Sequence, residues 1–107
     1  MSITINLYYY GKNGSAKAFA EEMEKSGIAN RIRSEKGNLG YDYFLPLNNS
    51  ETVLLIDIWE NQKALDVHHA SPMMQEIASL REKYDLHMKA KRYISEENSE
   101  DEKFIRK

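Results

Sequence analysis

The sequence predicts a single α+β domain of order β-α-β-β-α-β, a four-stranded antiparallel sheet with its helices on one face. Three observations carry this. Four segments alternate in the period-two manner of strands, and two others space their apolar residues at i, i+3, i+4 and i+7, as one helix face requires. The chain is 107 residues long, one domain's worth, with 41% hydrophobic and 30% charged residues, the balance of a folded globular chain.

In chain order, Ile3 to Tyr10 puts Ile3, Ile5, Leu7 and Tyr9 on one face and Thr4, Asn6, Tyr8 and Tyr10 on the other. Gly11 to Gly14 reads as a turn. Ser15 is placed to cap a helix whose Ala16, Phe19, Ala20 and Met23 share a face, with Gly27 at its end. The stretch Ile28 to Lys36 fits either a further helical turn through Ile28 and Ile32 or a strand alternating Arg31 and Arg33 with apolar positions. Leu39, Tyr41, Tyr43, Leu45 and Leu47 alternate again, and Asn48-Asn49-Ser50 supplies turn chemistry before the β-rich run Thr52 to Trp59. That is a hairpin. Asn61 can cap a short helix carrying Ala64, Leu65 and His68, and Ser71-Pro72 restarts a second one along Met73, Ile77, Leu80 and Tyr84. Leu86 to Ile94 alternates as the last strand. The order is the ferredoxin-like split βαβ arrangement.

Charge and composition exclude several function classes. Lys plus Arg total 15 against 17 Asp plus Glu, so no electrostatic footprint for nucleic acid or an anionic membrane is present. The acidic excess sits in residues 95–107, an acidic C-terminal tail whose only large apolar residues are Phe104 and Ile105; residues 1–94 form the domain. The tail is either solvated or anchored by that pair on a partner subunit. With no cysteine, disulfides, thiolate metal sites and thiol nucleophiles are ruled out. Met1-Ser2 runs directly into the first alternating stretch, which predicts no signal peptide and a cytoplasmic protein. The first three strands are apolar or aromatic on both faces. Sheet-to-sheet homodimerisation is the simplest cover for the face that the helices leave open.

Three local signatures follow one another: Glu35-Lys36-Gly37-Asn38-Leu39-Gly40-Tyr41, Leu54-Leu55-Ile56-Asp57-Ile58-Trp59 and Ala64-Leu65-Asp66-Val67-His68-His69-Ala70-Ser71-Pro72. Together they resemble the antibiotic biosynthesis monooxygenase family, through Gly37, Tyr41, Asp57, Trp59 and His68; Asp57 stands where that family more usually has Glu. The resemblance implies a dimeric α/β barrel with a pocket between helices and sheet in each subunit. It also implies oxidation of a quinol or similar hydroxylated aromatic small molecule by O2, without metal, flavin or haem. Other members of this shape degrade haem or isomerise and cleave small phosphorylated molecules. The helix after Pro72 carries no histidine to ligate haem iron, and a non-catalytic or regulatory dimer that binds an aromatic ligand is the remaining alternative.

Such chemistry needs a base, donors for the anion it creates, and a dry pocket. His68 is the base by side-chain type, or else a packed histidine at a helix end. Asn6, polar within an apolar strand, is either a donor to a substrate oxygen or a dimer-contact amide. Trp59, Tyr41, Tyr43 and Tyr8 either wall the pocket or belong to core and sheet interface. Arg33 and Arg81 either steady an anion or are solvated. His69 points about 100° from His68 around a helix, so the two do not chelate one metal, and no metal site is expected.

Overall fold

A computed structural model describes residues 1–107. Strand β1 (Ile3–Tyr10) leads through helices α1 (Ser15–Lys25) and α2 (Ile28–Arg33) to the hairpin β2 (Asn38–Phe44) and β3 (Thr52–Trp59). Helices α3 (Gln62–His69) and α4 (Met73–Lys83) then return the chain to β4 (His87–Ile94), and a 3₁₀ segment, Ser99–Phe104, ends it. The strand order is β2-β3-β1-β4, with every pair antiparallel. This is the ferredoxin-like arrangement that the sequence predicts.

Alternation decides which side chains meet the helices. Ile3 and Tyr9 of β1, Val53, Leu55 and Trp59 of β3, and Tyr41 of β2 are buried in one core with Phe19, Met23, Ile32, Leu65 and Ile77. The opposite sheet face carries Thr4, Asn6, Tyr8 and Tyr10 next to Leu54, Ile56 and Ile58. No element of the chain covers it. Tyr10 and Phe44 remain 40% and 48% exposed, and β4 is exposed along its whole length.

Several boundaries differ from expectation for local reasons. Ile28 to Arg33 is helical because Ile28, Ala29 and Ile32 fall on one buried face after Gly27, whose φ of 86° redirects the chain from α1. β2 stops at Phe44 rather than running to Leu47; Pro46 has no N–H for the ladder, and Leu47 is fully exposed. Ser15 opens α1 but does not cap it: its hydroxyl accepts from Lys12 N, and Glu51 reaches the amides of Asn13 and Gly14 instead. Asn61 does cap α3, accepting from Ala64 N at 2.9 Å. Ser71 makes no cap, and its hydroxyl is buried without a partner.

Gly37 is the joint that brings the segment before β2 against α3. Its φ is 88°, its carbonyl accepts from Glu60 N at 2.8 Å, and a Cβ there would sit 2.5 Å from that of Ala64. Only glycine allows this approach. The tail is held at its root by Ser2 and Ser95, yet Phe104 and Ile105 stay 81% and 55% exposed.

Candidate active site

Between the sheet and α3 lies a cluster of buried polar side chains that a core of this size has no structural need for. Helix α3 carries His68 on the same inward stripe as Leu65, and both are buried. The imidazole stacks on Trp59 from the end of β3, with ring centroids 4.8 Å apart and planes 27° from parallel. Its Nδ1 donates to Glu35 Oε2 at 2.6 Å, a contact made possible by the Gly37 turn. Glu35 therefore selects the tautomer in which Nε2 carries the lone pair, and Nε2 has no hydrogen-bond partner in the chain. A carboxylate-oriented imidazole of this kind accepts a proton at Nε2 without reorienting.

Two residues before Trp59 on the same strand face, Asp57 is 5% exposed. Asn38 Nδ2 reaches its Oδ1 at 3.4 Å, the one hydrogen bond that the carboxyl group receives. Burial pushes its pKa up to about 7; the Trp59 N–H offsets part of that, and the charge of Glu35 adds to it. That Trp59 N–H faces the carboxyl yet has no well-formed hydrogen-bond partner.

Tyr41 lies beside Asp57 in the sheet register, and its hydroxyl shares a 2.8 Å hydrogen bond with that of Tyr43. Burial raises both phenols far above their ordinary range, so they stay neutral. Arg81 from α4 donates to Tyr9 Oη at 3.0 Å and leaves its Nε buried without a partner. The interior thus holds Arg81 Nε without an acceptor and the Trp59 N–H facing the Asp57 carboxyl in poor hydrogen-bond geometry, both on the same side of the sheet. His69, adjacent in sequence, is exposed, with its ring centroid 5.6 Å from that of His68. No three His, Asp or Glu side chains stand close enough to hold a metal ion together.

His68, Trp59, Tyr41 and Tyr43 are therefore brought to one side of the sheet. Asn6 and Tyr8 are not. They alternate with Ile5, Leu7 and Tyr9, so they lie on the face away from the helices, and Asn6 cannot position an oxygen beside His68. There Asn6 Oδ1 is buried without a partner, and Lys91 lies over the Tyr8 ring. Arg33 is also outside the cluster: it binds Glu24, Asn30 and the Tyr41 carbonyl, which ties α2 to β2.

The residues that the spacing did not single out as chemical are Glu35, Asp57 and Asn38. Glu35 and Asn38 flank the Gly37 turn, and a loop carboxylate gives no periodic signal of what it reaches. Asp57 had one: it interrupts the inward apolar face of Val53, Leu55 and Trp59. A hollow of about 320 Å³ lies elsewhere, between α1 and the end of β2, lined by Ala20, Tyr43, Phe44, Leu45 and Val53 among others. It touches the cluster only through Tyr43.

Comparison with known proteins bears on this geometry. No curated protein matches the sequence. A proposed antibiotic biosynthesis monooxygenase from Deinococcus radiodurans superposes with a TM-score of 0.77 at 21% identity, over 92% of this chain and 95% of that one. A conserved protein from Methanosarcina mazei gives 0.76 at 23%, covering 90% and 94%. SnoaB, a cofactor-independent oxygenase from Streptomyces nogalater, gives 0.74 at 10%, covering 92% and 96%. At these identities the likeness establishes the shared fold, and the sequence model of one family matches residues 2–80 directly. The chain belongs to the antibiotic biosynthesis monooxygenase family.

Proposed function

We propose that the protein is a cofactor-independent monooxygenase that oxidises a quinol or similar hydroxylated aromatic small molecule with O2. The observation that carries the reading is the buried His68–Glu35 pair stacked on Trp59, with Nε2 left free to accept a proton. Deprotonation of a phenol by His68 produces an electron-rich anion that itself reduces oxygen, so the substrate supplies all the electrons. For a phenol with a free para C–H the balance is phenol plus O2 to quinone plus water. Trp59 and Tyr41 give the site aromatic faces that suit a flat ring, and Arg81, held by Tyr9, supplies a cation on the same side of the sheet.

Oxygen uptake measured against a panel of quinols and hydroxynaphthalenes, with quinone identified as product, tests the reading. Stoichiometric uptake with at least one member is expected. Tight binding of the panel with no uptake would leave a ligand-binding protein instead.

The active unit is proposed to be a homodimer formed through the open sheet face, with the tail crossing to the partner. Support comes from the apolar side chains Leu54, Ile56, Ile58 and Tyr8 on a face that nothing in the chain covers. Sedimentation at micromolar concentration should give twice the chain mass of 12.5 kDa, and a strict monomer would refute the dimer. Truncation after Ile94 should weaken association if Phe104 and Ile105 anchor the tail.

A further inference from the structure

We infer that Asp57 is the second proton-transferring group of this site, acting on the peroxide formed from the substrate rather than on the starting phenol. The inference rests on the oxygenase reading and extends it.

The geometry comes first. A carboxyl group that is 5% exposed and receives one hydrogen bond, at 3.4 Å from Asn38, is poorly satisfied for a structural role. No cation pairs with it. Its neighbours are the Trp59 N–H on its own strand, Glu35 before β2, Tyr41 on β2, and Tyr9 on β1, whose phenol feels its charge. Glu35 is committed to His68, and Arg81 to Tyr9. Asp57 is thus a carboxyl group in this interior with no cation beside it, met only by the Asn38 amide and the Trp59 N–H, and it shares Trp59 with His68: the ring stacks on the imidazole and the N–H faces the carboxyl. Burial and the nearby Glu35 charge both favour its neutral form near pH 7, the form able to donate a proton.

The chemistry supplies the task. After His68 takes the phenol proton, the phenolate passes one electron to O2, and the resulting superoxide joins the ring radical at carbon to give a peroxide anion. Asp57 donates its proton to the terminal oxygen, forming the hydroperoxide. The Asp57 carboxylate then removes the proton from that same carbon. The C–H electrons form the carbonyl, the O–O bond breaks, and the departing hydroxide takes the proton held by His68 to become water. Both residues end as they began. The substrate has lost four electrons, and O2 has received them, one atom going into the quinone and one into water. A single imidazole would have to carry both protons in turn, between the peroxide, the C–H and the departing hydroxide; a separate carboxyl group divides the two transfers between two placed groups.

The test compares Asp57→Asn and Asp57→Glu with the unaltered protein, using 1-naphthol and the other hydroxynaphthalenes as probes under O2. Asp57→Asn should lower quinone formation by about 10²- to 10⁴-fold, the usual contribution of a placed acid or base. It should also release hydrogen peroxide for the oxygen it still consumes, and Asp57→Glu should restore coupling to water. A purely packing role would slow turnover without peroxide release, and that result would overturn the inference. A second measurement does not need turnover: ¹³C NMR of the Asp57 carboxyl across pH should show it neutral at pH 6. A midpoint in the ordinary aspartate range would overturn the inference, whatever the substrate panel shows. Failure of every probe with the unaltered protein would instead count against the oxygenase reading itself.

Discussion

Replacing His68 with alanine should lower turnover of a competent hydroxylated aromatic by about 10²- to 10⁴-fold, while His69→Ala should leave it within a few-fold of the unaltered rate. Both changes remove an imidazole from the last turn of α3, so a general weakening of that helix would affect them alike. Their environments separate them. His68 is buried between Trp59 and Glu35, whereas His69 is exposed and makes no hydrogen bond within the chain. Partial desolvation of its ring against its neighbours, with the nearby Arg81 charge, also holds the His69 pKa below its ordinary value, so near neutral pH it adds little charge to the site. The two variants should be compared by oxygen uptake at saturating substrate, with thermal unfolding as the control for folding. Equal rates in the two variants would return His68 to a packing role against Trp59.

The second large effect is on stability, and its sign is opposite to that of a salt-bridged aspartate. Asp57 has a pKa raised from 3.8 to about 7 by burial, so between those values the folded chain binds a proton that the unfolded chain does not. Stability should therefore fall as pH rises from about 4 to about 7 and level off above that. The full difference corresponds to on the order of 4 kcal/mol at pH 8, as an upper bound. Asp57→Asn keeps the shape, removes the titration and should make the protein more stable at pH 8 by a few kcal/mol, and by less than half of that at pH 5. Urea unfolding at the two pH values reads this directly. Equal destabilisation by Asp57→Asn at both would mean that the carboxylate is charged and paired in the native state. Together with the peroxide measurement, this would show a residue retained for chemistry at a cost in stability.

The fold was legible because its signals are local and periodic. Ile3, Ile5, Leu7 and Tyr9 alternate with Thr4, Asn6, Tyr8 and Tyr10, Phe19 and Met23 share a helical stripe, and Asn61 caps a helix through an amide three residues away. Where the signal was mixed, as from Ile28 to Lys36, burial against α1 and β2 decided for helix. Part of the site was legible too: Trp59, Tyr41, Tyr43 and His68 all carry inward-facing periodicity, and they do share one side of the sheet. Side-chain chemistry alone points Asn6 and Tyr8 to the site, against the parity of their own strand.

What the sequence by itself determined is the order of elements, the inward face of each strand and the presence of one histidine on the core side of α3. Only the tertiary structure decided which carboxyl groups that histidine meets. Glu35 is 33 residues away from His68 and sits beyond a glycine turn, and the contact depends on how closely Gly37 lets that turn approach Ala64. Spacing reports neighbours three or four residues apart on a helix or two apart on a strand; it carries no record of a distance closed by packing. The same holds for Asp57, whose identity is plain in the sequence but whose burial without a cation, and hence its raised pKa, is a property of everything packed around it.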